Sequence, residues 1–157
     1  MIFNKTKVIE NSLNKAIIHY LNEKEYPTDL EFVDDDAKMM DNKLRLGTHP
    51  DYIELLWNVY SKTLPKQCKA ILYGTPVLIN PSTSVVFGLA EGTYPPLLRL
   101  SKNDVVSIKQ KGGKTTLSDM DGVYADAGVL GNEWVYCFSF INDIQSYCLN
   151  AYNYSNQ

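Results

Sequence analysis

At 157 residues, 45% apolar and 21% charged, the chain has the size and composition of one globular domain, which excludes a disordered or fibrous protein. It holds no run of about 18 apolar residues, so no membrane-spanning helix is expected. The net charge of −3 argues against a nucleic-acid binder, but it is unevenly spread.

Ile9, Leu13, Ala16, Ile17, Tyr20 and Leu21 recur at spacings of three and four, which predicts a helix from Lys7 to Lys24. Tyr26-Pro27 ends it, because the residue before a proline is pushed out of the α region. The connector that follows is strongly acidic: Glu23, Glu25, Asp29, Glu31, Asp34, Asp35 and Asp36 stand against Lys24 alone. A short helix is possible around Asp36 to Leu44, closed by Gly47. Thr48 is placed to cap a second helix, with Pro50 in its first turn and Asp51 completing the capping pair. Tyr52, Ile53, Leu56, Trp57 and Tyr60 form its apolar stripe, and Leu64-Pro65 stops it.

The period then changes. Residues 70–73, 77–79 and 85–89 are short runs of β-branched, aliphatic and aromatic residues, separated by Gly74-Thr75-Pro76 and Asn80-Pro81-Ser82. Residues 97–100 follow Gly92 and Pro95-Pro96 as a fourth strand. Connections this short can join only antiparallel neighbours. Ser101 and Asp104 open a short helix that Gly112-Gly113 closes. Thr115 to Gly131 is loop-like, Glu133 to Phe140 looks like a strand, and Asn142 caps a last helix with Ile144, Cys148, Ala151 and Tyr152 on one face. Grouped strands and segregated helices define the expected fold: a single α+β domain over residues 1–157, an antiparallel meander sheet with the first, second and last helices packed on it. Leu13, Ile17, Leu56, Ile71, Leu78, Val86, Leu98, Val135 and Cys148 are its expected core.

No motif commits the chain to a reaction, so no catalytic residue, cofactor or metal is assigned. Gly112-Gly113-Lys114-Thr115 lacks the upstream glycine of a phosphate loop. Asp119-Met120-Asp121-Gly122 lacks the later ligands of a calcium loop. His19 and His49 fit no zinc or dyad spacing, and Cys68, Cys137 and Cys148 are too widely separated for a zinc site. Free, mostly buried thiols are expected. The first twenty residues interleave Asn4, Lys5, Lys7, Glu10, Asn11 and Lys15 with apolar positions, unlike a signal peptide, which places the chain in the cytoplasm.

Arg99 lies between Leu98 and Leu100 and alternates out of the apolar face, where it could hold Glu91, Glu133 or an external anion. Tyr94, Trp134 and Tyr136 add aromatic surface of the kind enriched at interfaces. Lys102, Lys109, Lys111 and Lys114 make one further segment locally basic.

From Leu64 to Tyr152 the stretches LPKQC, LYGTPVLINPSTSVVFGLAEGTY, LLRL, LGNEWVYCFSF and YCLNAY resemble a recurrent pattern of small, largely uncharacterised bacterial cytoplasmic proteins. The residues that carry the resemblance are Gly74, Pro76, Val77, Leu78, Gly92, Thr93, Arg99, Trp134 and Val135. Ser84 stands where the pattern has a turn glycine, and Ser101 where proline is common. The resemblance implies an architecture without an assigned chemistry. By analogy of type and not by a residue match, small acidic proteins so organised often prove to be immunity proteins that neutralise a toxin.

Two functions compete. The first is a protein-binding module, an immunity-type inhibitor whose Asp34, Asp35 and Asp36, with Tyr94 and Trp134, occupy a basic toxin. The second is a small ligand-binding domain or enzyme with a pocket at Glu91, Tyr94, Arg99 and Trp134. Neither nucleic acid nor a membrane is an expected partner.

Overall fold

The computed structural model describes residues 5–22, 30–32, 48–115 and 130–157. Its centre is an antiparallel sheet. Among the described residues it has seven strands: β1 Leu30–Phe32, β2 Lys69–Leu72, β3 Thr75–Ile79, β4 Val86–Leu89, β5 Leu97–Arg99, β6 Lys114–Thr115 and β7 Trp134–Tyr136. The spatial order is β1-β2-β3-β4-β5-β7-β6, with every pair antiparallel. The four middle strands are the expected meander.

Both faces of the sheet are covered, which is why its strands read as continuous apolar runs rather than as an alternation. On one face lie α1 Lys5–Glu10 and α2 Lys15–Asn22, whose Val8, Ile17, Tyr20 and Leu21 pack with Ala70, Leu72, Val77, Ile79, Val86, Leu89, Trp134 and Tyr136. The other face carries α3 Pro50–Glu54, α4 Lys102–Gln110 and α5 Ile144–Tyr154 over Ile71, Leu78, Phe87, Leu98 and Val135. The result is an α+β fold of three layers.

The first helix differs from expectation. It breaks at Asn11, whose side chain accepts a hydrogen bond from the Leu13 N–H, and a 3-10 turn over Ser12–Asn14 leads into α2. The cause is Asn14, fully buried. Its amide donates to the Val8 carbonyl at 2.8 Å and the Ser84 carbonyl at 2.7 Å, while its oxygen accepts the Val86 N–H at 2.8 Å. Three backbone groups, from α1, from the turn before β4 and from β4 itself, converge on one side chain, and satisfying them outweighs helix continuity. Leu13, expected in the core, is turned outward at 44% exposure.

Helix α3 is capped one residue later than expected: His49 Nδ1 accepts the Asp51 N–H, and Pro50 takes the first helical position. Thr48 instead bridges Gly92 and donates its hydroxyl to the Ala90 carbonyl. Beyond Glu54 the helix widens to π geometry over Leu55–Tyr60, which brings Leu56, Trp57 and Tyr60 together onto the sheet. The Trp57 indole donates to the Val77 carbonyl and the Tyr60 hydroxyl to the Cys137 carbonyl, so this helix is bonded to the sheet as well as packed on it.

Between β3 and β4 the register shifts, pairing Leu78 with Gly88 but Ile79 with Val86. This bulge leaves Phe87 the extra residue and sends it to the face of Leu78, so Val86 and Phe87 serve different cores. Gly88 lets the strands approach closely there: a Cβ would stand 3.1 Å from Leu78 Cδ1, which would have to give way. Strand β7 is shorter than the expected 133–140. After Cys137 donates to the Pro96 carbonyl, its neighbouring chain is Pro95-Pro96, which has no N–H to return. Strand β6, two residues long, falls in what the sequence suggested was a helix stop and loop.

Helices α4 and α5 run side by side in opposite directions. Asn150 donates to Asp104, Ser107 and Tyr147 share a hydrogen bond, and Lys111 pairs with Asp143 at 3.7 Å. The cap of α5 is Asp143, in the left-handed region at φ 65°, rather than Asn142.

Candidate functional site

Arg99 closes β5 opposite Trp134. Its Nε donates to Glu133 Oε2 at 3.2 Å, its guanidinium lies 4.5 Å above the Tyr154 ring, and the Tyr154 hydroxyl donates to Glu133 Oε1 at 2.8 Å. The three residues come from β5, the turn before β7 and the end of α5, so they bind the last helix to the sheet. The bond to Glu133 holds the Tyr154 hydroxyl above its ordinary pKa; burial and the Glu133 charge add to this, and Arg99 opposes it. The Arg99 side chain is 7% exposed and that of Glu133 52%. Of the three partners the sequence allowed Arg99, the fold supplies Glu133.

Of the suggested pocket, Trp134 is the cross-strand neighbour of Arg99, but the remaining residues lie elsewhere. Glu91 is buried in the turn after β4, where the His49 N–H donates to the Gly92 carbonyl at 2.8 Å. Glu91 and Arg99 occupy opposite ends of the β4–β5 hairpin, separated by about 13 Å along the strands at ~3.3 Å per residue. Trp134 is core under the N-terminal helices, and Tyr94, half-buried, meets Tyr136 edge-on at 6.2 Å. The fold thus joins Arg99 to Glu133 and sets Tyr94 and Trp134 in one core, but it does not bring Glu91 to Arg99.

Asp34, Asp35 and Asp36 lie outside the described residues, as does the stretch from Asp119 to Gly122. One part of the acidic run is described: Leu30–Phe32 forms β1, the outermost strand on its side of the sheet, paired with Ala70–Leu72. The sequence suggested only a connector there.

Cys68, Cys137 and Cys148 are free and buried in one core with Tyr60. Burial pushes the Cys68 and Cys148 thiols up to about 12 and raises Cys137 in the same direction. Such thiols are poor nucleophiles. Among the described residues no group of three or more His, Cys, Asp or Glu is placed to hold a metal, and no helix is long and apolar enough to cross a membrane.

The sequence pointed to Tyr94 and Trp134 as exposed aromatics and missed Phe140. Phe140 is 68% exposed and stacks on Phe138 with centroids 5.4 Å apart and planes at 20°. The available signal was Phe138-Ser139-Phe140 running straight into the polar Asn142-Asp143 turn.

Comparison with protein-family models, with curated proteins and with solved structures found no match.

Proposed function

We propose that the chain is a protein-binding module, an immunity-type inhibitor whose acidic run Glu23 to Asp36 docks on a basic toxin surface. The observation that carries this reading is β1. Backbone pairing with β2 fixes Leu30–Phe32, in the middle of the acidic run, to one edge of the sheet. A charged segment anchored in this way steers a partner of opposite sign and keeps its docking geometry. The reading is also supported by Arg99, whose guanidinium is engaged by Glu133 and Tyr154 and is thereby less suited to an external anion.

The test is capture from extracts of competing bacteria on the immobilised chain and on its Asp34→Asn, Asp35→Asn, Asp36→Asn variant. A basic protein retained by the native chain, lost on the variant and neutralised by the native chain in a growth assay is the expected result. Equal retention on both would remove the acidic run from the interface.

A further inference from the structure

We infer that the last turn of α5 is a strap that locks the N-terminal helices onto the sheet through the turn between β3 and β4. The two helical layers then loosen together, although they cover opposite faces. The turn, residues 80–85, bonds to both layers. Towards α5, the fully buried Asn80 donates its amide to Ser155 Oγ and to Asn156 Oδ1, each at 2.8 Å, and the Thr83 hydroxyl donates to the Ser155 carbonyl at 2.9 Å. Towards α1 and α2, the Thr83 carbonyl accepts from Asn11 Nδ2 at 3.2 Å and the Ser84 carbonyl accepts from Asn14. Thr83 therefore holds the end of α5 with its hydroxyl and the break between α1 and α2 with its carbonyl.

The bonds within the turn tie its two sides together. The Asn80 N–H donates to the Val85 carbonyl, its carbonyl accepts the Ser84 N–H, and its side-chain oxygen accepts the Ser82 N–H. When the last turn of α5 moves away, both donors of the buried Asn80 amide lose their acceptors. A buried donor left without a partner costs more than the bond itself contributes, so Asn80 turns to water and gives up Ser82. Thr83 and Ser84 shift with it, and theirs are the carbonyls that Asn11 and Asn14 need. Ser155 is itself fully buried, unlike the frayed end of most chains. Hydrogen bonds that depend on one another in this way open as one unit. This inference is independent of the proposed function, which concerns the β1 edge.

Amide hydrogen exchange on the purified chain tests it. Ser155→Ala removes one acceptor of Asn80 and should make the amides of α2 exchange about fivefold faster, the factor of one net hydrogen bond, while those of α4 keep their native rates. Coupling runs equally in both directions, so Asn11→Ala should speed exchange in the last turn of α5 by a comparable factor. Asn156→Ala, at an exposed position, removes only the second acceptor and should give the Ser155→Ala pattern, so the test stands even where Ser155→Ala fails to fold. Faster exchange confined to the end that carries the substitution would overturn the inference. So would equal acceleration of α2 and α4, which is the mark of a uniform loss of stability.

Discussion

Removing Glu133 should destabilise the protein more than removing Arg99, although both changes break the same ion pair. A fully buried pair broken on one side costs about 3–5 kcal/mol, whereas an exposed pair is worth about 0–1 kcal/mol. This pair lies between the two, because the Arg99 side chain is 7% exposed and that of Glu133 52%. Arg99→Met keeps the packing of the aliphatic stem and leaves a carboxylate that water and the Tyr154 hydroxyl already solvate, for a loss of about 1 kcal/mol. Glu133→Ala strands a guanidinium in the protein with the Tyr154 ring beside it. Half the penalty of a fully buried break, about 2–3 kcal/mol, is expected, since removing Glu133 also admits water. Urea denaturation followed by the fluorescence of Trp57 and Trp134 measures both, with unchanged slopes confirming that only stability moved. A costlier Arg99→Met, or no effect from either change, would refute the assignment of Arg99 as the desolvated partner.

Asn14→Leu should cost about 3 kcal/mol in the same assay, because three buried backbone groups lose their partner at once; a cost below about 1 kcal/mol would mean that water replaces the side chain. Ser84 sits at φ 64°, so Ser84→Gly should stabilise by up to about 1 kcal/mol by relieving left-handed strain, and a clear loss would show that the hydroxyl matters more. The thiols predict alkaline instability. Their folded pKa values are raised from 9.0 to about 12 for Cys68 and Cys148, so the stability they contribute is whole below about pH 9 and is lost as the pH rises toward 12. Each removes about 1.4 kcal/mol per pH unit over that window. A urea midpoint that is constant from pH 8 to about 10.5 would contradict their burial.

The meander was legible because Gly74-Thr75-Pro76 and Asn80-Pro81-Ser82 punctuate its apolar runs, local signals that depend on little else, although Thr75 and Pro76 themselves belong to β3. The helical break at Asn11 was not. It comes from Asn14 meeting Ser84 and Val86, 70 and 72 residues away, and no helical periodicity encodes a contact at that distance. Trp134 shows the same limit: alternation places it on a face with Tyr136, but only the tertiary fold reveals that α1 and α2 cover that face. Arg99 was legible as a charged residue that needed a carboxylate. The choice between Glu91 and Glu133 required the hairpin register. Ser84, where the resemblance expects glycine, adopts a backbone conformation that glycine favours.

In the proposed function, the acidic run that contains β1 steers a basic partner. The direct measurement is the association rate with the captured partner against ionic strength, for the native chain and for Asp34→Asn, Asp35→Asn, Asp36→Asn. Exposed charges contribute little to folding but accelerate encounter, and salt screens that acceleration. The native chain should bind quickly at low salt and slow steeply as salt is added, while the variant should begin slow and change little. Identical rates and identical slopes for the two proteins would contradict the account.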